Sequence, residues 1–223
     1  MHLKENIFMQ LLSVNIGQKR TQQKGNELET TGIYKLPVQE PVAIKSLGIQ
    51  SDFICDQKNH GGPDQAIYIY GMADYDWWSS ELGKELAPGT FGDNLTISEL
   101  ESARFNIGDR LRIGSTILEV SAPRIPCSTL AARMGDPQFV KKFRQAERPG
   151  LYCRVIQEGF VQTGNEVKIE RYQHETLSVL QMFRDYFDNN KSEETLRRHL
   201  RAPIAIRARN ETEEDLEKLL SKR

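Results

Sequence analysis

Up to about Tyr172 the apolar residues come in short segments broken by Gly, Pro, Asn and Asp, and helical spacing is only local. Such punctuation is how β-rich structure with tight turns reads. Met9-Gln10-Leu11-Leu12-Ser13-Val14 opens as a strand, and Pro41-Val42-Ala43-Ile44 and Asp52-Phe53-Ile54-Cys55 look like two more. The clearest hairpin is Arg110-Leu111-Arg112-Ile113, then Gly114-Ser115 as the turn, then Thr116-Ile117-Leu118-Glu119-Val120. Polar and apolar residues alternate there, and glycine takes the position that needs positive φ. A further pair, Leu151–Ile156 and Glu166–Ile169, flanks Gly159 and Gly164. Two helices interrupt the strands. One runs from Asp74 to Leu82 with Tyr75 and Trp78 on one side; the other starts at Asp136-Pro137, with Asp as N-cap and Pro at N1. The polar stretch from Gln18 to Glu29 is expected to be a mobile loop.

After Tyr172 the texture changes. Leu177, Leu180, Phe183 and Phe187 recur at helical spacing, Ser192 can cap a helix through Leu196 and Leu200, and Thr212 with Asp215 resembles a capping box before Leu216. Three short helices in about fifty residues cannot bury much surface by themselves, so they should pack on the sheet or on a partner. The boundary falls near Gln173, dividing residues 1–173 from 174–223.

Thirty Lys and Arg stand against thirty-one Asp and Glu, so no global field holds a polyanion, and a nucleic-acid coat role is excluded. The beginning of the chain lacks the basic-then-apolar order of a signal peptide. No apolar stretch approaches the roughly 20 residues that span a bilayer. Three cysteines, none in a CxxC unit, suit a reducing compartment, so a soluble, cytoplasmic protein without a membrane role is expected.

Three clusters hold residues that a packed core does not require. Asn59-His60-Gly61-Gly62-Pro63-Asp64 combines positive-φ freedom and close backbone approach with two polar side chains, although a plain turn explains it as well. Gly89-Thr90-Phe91-Gly92-Asp93-Asn94 brings an amide beside glycine, again compatible with a tight loop. Pro123-Arg124-Ile125-Pro126-Cys127-Ser128-Thr129 holds a thiol on a proline-stiffened loop beside a guanidinium, which favours the thiolate. Cys55 and Cys153 sit in apolar strand patterns and read as buried small hydrophobes.

Taken in order, these clusters resemble a MOSC-domain protein of the YiiM-like type, the domain shared with the C-terminal part of molybdenum-cofactor sulfurases. The matching residues are His60-Gly61-Gly62-Pro63-Asp64, Phe91-Gly92-Asp93-Asn94-Leu95, Ile107-Gly108-Asp109 before Leu111-Arg112-Ile113-Gly114, Pro123-Arg124 with Pro126-Cys127, and Gly150-Leu151-Tyr152-Cys153-Arg154-Val155. The resemblance implies a mainly β fold with α (α+β), a MOSC-type β-barrel followed by a small three-α segment. It also implies a molybdenum cofactor (Mo-pyranopterin) bound with Cys127 as the metal's thiolate, and it leaves pyridoxal phosphate binding open at family level. His60, Gly61, Asn94 and Arg124 are the expected cofactor-binding residues, since a phosphate-bearing pterin needs cations, backbone N–H groups and amides. Mitochondrial amidoxime-reducing relatives carry an N-terminal companion domain that shares in the cofactor cradle. No counterpart is read here, so phosphate contacts are expected from elsewhere.

The implied activity is reduction of N-hydroxylated compounds, of hydroxylaminopurine or amidoxime type. A cofactor- or sulfur-handling module without its own substrate remains open, and a thiol hydrolase using Cys127 with His60 lacks a third orienting residue. Arg197, Arg198, Arg201, Arg207 and Arg209 either form a solvated face or dock an acidic partner such as a flavoprotein electron donor.

Overall fold

The computed structural model describes residues 8–55 and 61–221. Strands β1 (Met9–Gly17), β7 (Ile67–Gly71), β8 (Leu95–Ile97), β9 (Arg110–Ile113), β10 (Thr116–Ala122), β11 (Leu151–Gln157) and β13 (Glu166–Glu170) lie in the order β13-β9-β10-β11-β7-β8-β1, and a β1–β13 pairing closes them into a seven-stranded barrel. Strand β4 (Lys35–Val38) extends the sheet outside β1. All these pairings are antiparallel except β7–β8, which are joined through helix α1 (Met72–Leu82), the crossover that parallel neighbours need. A small sheet of β5 (Val42–Lys45), β6 (Gly48–Ile49) and β12 (Gly159–Val161), and a hairpin of β2 (Arg20–Lys24) with β3 (Glu27–Thr31), complete the β structure among the described residues.

The expected hairpin is there, with Ile113 opposite Thr116 around Gly114-Ser115 and Gly114 at φ 57°. Its alternation does what period-two patterning does: Leu111 and Ile113 are buried while Arg110 and Arg112 are exposed. Strand β7 shows why its Ile-Tyr-Ile-Tyr run suits a two-sided strand. Ile67 and Ile69 pack with Leu95, Leu118, Val120 and Leu151 in an aliphatic interior, whereas Tyr68 and Tyr70 join Tyr75, Trp78, Phe91, Phe139 and Phe143 in an aromatic layer. Tyr70 stacks on Phe91 at 4.6 Å between centroids, and its hydroxyl accepts the Trp78 indole N–H at 2.9 Å. Such ring pairs each contribute about 0.5–1.5 kcal/mol beyond the area they bury.

Several expectations are corrected. Residues 18–29 are not a loop but most of the β2–β3 hairpin, turning at Gly25 with φ 60°. Asp52–Cys55 makes no strand; Phe53 N–H bonds to Gly17 O (2.9 Å), and Cys55 is exposed, not core. Strands β11 and β13 are not each other's partners: β11 pairs with β10 and β7, and β13 with β9 and β1. Asp136 caps a turn, accepting from Gln138 N–H at 2.8 Å, and helix α3 (Phe139–Ala146), which follows α2 (Ser128–Met134), begins three residues later. Cys153 is buried as expected, and burial pushes its thiol pKa well up.

Beyond the barrel lie α4 (Val179–Tyr186), α5 (Glu193–Arg201) and α6 (Ile206–Leu220). Ser192 caps α5, its hydroxyl accepting from Thr195 N–H at 3.1 Å. The buried stripe differs from the expected one: Val179, Met182 and Phe183 carry it in α4, while Leu180 and Phe187 are half-buried, and in α5 His199 is buried rather than Leu200. Thr212 starts nothing; it lies inside α6 with its hydroxyl donating to Ala208 O at 2.7 Å. The true start of α6 is capped from far away, by Asp64 Oδ2 accepting from Ile206 N–H at 2.7 Å. Leu177, Val179, Met182, Ala202 and Ile204 join the barrel's aliphatic cluster, with Ala208 packed against it, so α4 and α6 and the segments flanking α5 pack on the sheet, while α5 lies against α6.

Candidate functional site

Strand β10 ends at Ala122, and Pro123 to Cys127 cross to α2 without regular structure. Cys127 is the N-cap residue of α2: its carbonyl accepts from Leu130 N–H (3.1 Å) and Ala131 N–H (3.2 Å), while its side chain makes no capping bond. The half-buried sulfur therefore reaches a cavity of about 250 Å³ rather than the helix end. Asn94 and Arg124 line the same cavity, so the structure brings three of the expected residues together. Gly61 is not among the described residues that line it, and His60 lies outside the described residues.

Arg124 is 5% exposed. Its Nη1 donates to Phe91 O, its guanidinium sits 4.9 Å from the Tyr68 ring centroid, and it is hydrogen-bonded to the Cys127 side chain. Burial works to lower its pKa, but the Tyr152 and Tyr68 hydroxyls and Cys127 outweigh that and raise it. Nε of Arg124 is buried with no hydrogen-bond partner among the described residues. A buried donor left unmade costs roughly 1–3 kcal/mol, so this N–H is poised for an acceptor.

Asn94 stands differently. Its Oδ1 accepts from Tyr68 N–H (3.2 Å) and its Nδ2 donates to Asp52 Oδ2 (2.8 Å), so both ends of the amide already serve the fold. Asp52 also accepts from Gly17 N–H (2.7 Å) and pairs with the buried Lys35 ammonium. Desolvation lowers the Lys35 pKa against the pull of Asp52. Two cations, Lys35 and Arg124, thus reach one small cavity from the sheet side.

The opposite wall is the β2–β3 hairpin that sequence reasoning took for a loop. Glu29 accepts from Gln22 Nε2 (2.6 Å), Lys24 Nζ (2.8 Å) and Thr129 Oγ1 (3.3 Å), clasping the hairpin to α2 beside Cys127. Lys24 has its pKa raised, chiefly by its bond to Glu29 against desolvation, with Cys127 adding to the effect. The next segment needs glycine: a Cβ on Gly32 would lie 1.8 Å from Phe53 O, and this close approach lays Phe53–Cys55 along the cavity. Lys24, Glu29, Lys35, Asp52, Tyr68 and Tyr152 were missed by sequence reasoning. The one available signal was Gly25-Asn26, a two-residue hairpin turn between polar flanks.

Asp64 belongs to the same short motif as Gly61, yet it is structural. Its carboxylate accepts from Arg154 Nε (2.8 Å) and from the start of α6, and Arg154 also reaches Glu119 (3.3 Å) and Ile204 O (3.1 Å). The tail arginines face acids of the chain itself: Arg197 with Glu193, Arg198 with Asp185, Arg201 with Glu175, Arg207 with Glu211 and Arg209 with Glu213. Among the described residues no cluster of three or more His, Cys, Asp or Glu is placed to hold a metal ion, and no helix is long and apolar enough to cross a membrane.

Comparison with known proteins matches the MOSC domain to residues 56–168. YflK of Bacillus subtilis is 35% identical over 159 residues, covering 71% of this chain and 72% of that protein. A protein of Gibberella moniliformis named Reductase is 30% identical over 178 residues, 78% of this chain but 31% of its own length. The crystal structure of YiiM from Geobacillus stearothermophilus superposes with a TM-score of 0.77 at 27% identity, covering 93% of this chain and 99% of that one.

Proposed function

Since the chain belongs to the MOSC family and is YiiM-like, we propose that it binds a molybdenum cofactor through Cys127 and reduces N-hydroxylated bases or amidoximes. The observation that carries this reading is the Cys127 sulfur on a cavity whose buried Arg124 keeps an N–H with no partner among the described residues. The residues present fit the group. One soft thiolate suffices for a metal that arrives in its own dithiolene chelate. Lys35 and Arg124, which line the cavity, offer positive charge to the anionic, heteroatom-rich part of the cofactor. When bound, molybdenum cofactor supplies two-electron chemistry with oxygen-atom acceptance.

The overall reaction is R–NHOH + 2e⁻ + 2H⁺ → R–NH₂ + H₂O: the N–O bond breaks, and a reduced flavoprotein is the class of donor that provides the electrons. The chain's share is placement and electrostatics. Arg124 holds the sulfur by a hydrogen bond and sets a permanent positive charge beside it. Tyr68 and Tyr152 stay protonated, burial raising both phenols, so they donate hydrogen bonds and carry no charge at neutral pH. The Reductase name of the Gibberella relative agrees with a redox role. The test is purification with cofactor retained, followed by metal analysis and N-hydroxylamine reduction. Stoichiometric molybdenum with turnover supports the reading; metal-free protein carrying a persulfide on Cys127 replaces it with sulfur handling.

A further inference from the structure

A second cavity, of about 420 Å³, meets the first at Cys127. The two share Lys24, Gln65, Cys127, Thr129 and Tyr152 and otherwise have different walls. The first is reached by buried Lys35 and Arg124. The second is faced by Pro123, Ile125 and Pro126 of the cysteine loop and by Met182, Tyr186 and Ala208 from α4 and α6. Its charges are internally matched: Lys24 bonds Glu29 at 2.8 Å, and Arg207 bonds Glu211 at 3.1 Å.

We infer that this second chamber, completed by the C-terminal helices, is where a neutral, planar N-hydroxylated substrate binds, with Met182, Tyr186 and Ala208 setting its size and shape. The inference rests on the reading of Cys127 given above. Three observations carry it. A cysteine sulfur bordering two cavities lets one take an anionic cofactor and the other a reactant. The charge contrast sorts them: buried Arg124 reaches the first with no carboxylate partner among the described residues, whereas Lys24 and Arg207 at the second are paired with Glu29 and Glu211, so the second favours an uncharged ligand over an anion. Gln65 lines the shared wall, and its Oε1, buried with no hydrogen-bond partner among the described residues, is an acceptor that a turn of the amide brings to the N–H and O–H donors of an N-hydroxyl amine or amidoxime. Tyr186 is 55% exposed and lines the chamber.

The fold explains why chamber and acceptor stay in register. Gln65 ends the short 3₁₀ turn Pro63–Gln65, and its neighbour Asp64 caps α6 through Ile206 N–H. Ala208 and Glu211 follow on that helix within about a turn and a half. One carboxylate thus fixes the helical wall relative to the polar anchor.

The experiment uses cofactor-free full-length protein and benzamidoxime as probe, reading site-resolved carbamidomethylation of Cys127 by peptide mass spectrometry, with molybdenum content measured separately on protein purified with cofactor. Benzamidoxime should slow Cys127 alkylation in the wild type, and benzoate should not. Ala208→Trp, which fills the chamber, should weaken that protection by about tenfold in probe concentration while molybdenum content stays at the wild-type level. Tyr186→Ala, an exposed position that folding does not need, should weaken it by about threefold, and it decides the matter if Ala208→Trp does not fold. Protection that survives in the folded variants, or that benzoate gives equally, overturns the inference. Loss of molybdenum in Ala208→Trp would also overturn it, placing the cofactor in this chamber. Failure of the molybdenum reading shows up separately, as Cys127→Ser that keeps its metal.

Discussion

Asp64 and Arg124 come from short motifs of the same kind, and the structure uses them in opposite ways. Around Asp64 every bond is internal: the carboxylate serves Arg154 and Ile206, and Arg154 goes on to Glu119 and Ile204. Around Arg124 the accounting stays open, with Nε buried and unpartnered among the described residues and the sulfur of Cys127 turned toward a cavity. A motif residue whose hydrogen-bonding capacity is satisfied within the chain builds the fold, and one left with unmet capacity beside a cavity is free to bind. Asn94 illustrates the test within a single motif: it lines the site, but both ends of its amide are already engaged.

The largest expected effect lies on the open side. Cys127→Ser replaces a soft thiolate by a hard, protonated hydroxyl, so molybdenum content and N-hydroxylamine turnover per folded molecule should fall by about a hundredfold or more. The thermal midpoint should hardly move, because the side chain caps nothing. Retention of full metal content would break the comparison at its root. Asp64→Ala should do the reverse. It removes a charge-assisted partner from Arg154 and the cap from α6, a loss of about 2–4 kcal/mol of stability, with metal content per folded molecule unchanged. The double variant with Arg154→Ala should be far from additive in denaturant unfolding; additivity would show that the two residues act separately.

Which parts of this arrangement were legible in the sequence follows from how local their causes are. The Gly114-Ser115 hairpin, the Tyr75/Trp78 face of α1 and the Ser192 cap are set by neighbours in the chain, and each is where the pattern placed it. The β2–β3 hairpin was hidden because Arg20–Lys24 and Glu27–Thr31 are polar on both faces and show no alternation. They are held by a backbone ladder and by Glu29 reaching Thr129, a hundred residues away. The start of α6 was misread for a similar reason, since its cap comes from 142 residues upstream and no local box announces it. The cavity's thiol and guanidinium were visible because the proline loop is local. Lys35, paired with Asp52 from a separate segment, was not.

A smaller effect separates the tail's polar groups from the site's. His199 is buried against Asp185 at 2.7 Å, and desolvation lowers its pKa despite that carboxylate. A depressed folded value means the unfolded chain takes the proton first, so this contribution to stability is present above the unfolded value near 6.5 and is lost as pH falls below it. Urea midpoints should therefore decline from pH 7 to pH 5 in the wild type and decline less in His199→Gln. Equal slopes in the two proteins would remove His199 from the account.

The smallest effects concern the two cysteines outside the proline loop, and they sharpen the contrast between satisfied and open positions. Cys153 is fully buried in β11 among aliphatic side chains, and burial holds its thiol pKa well up. Serine there puts a hydroxyl in an apolar setting and should cost about 1–3 kcal/mol, with turnover per folded molecule nearly normal. Cys55 looks equally apolar in sequence, yet it is exposed beside the Cys127 cavity, so Cys55→Ser should stay within about 0.5 kcal/mol of the wild type. Site-resolved alkylation in native buffer orders the three thiols by access. Cys55 should react first and Cys153 only on unfolding, its rate then reporting the opening of the barrel. Fast native labelling of Cys153 would mean that β11 opens locally; slow labelling of Cys55 would mean that the segment around it is covered in solution.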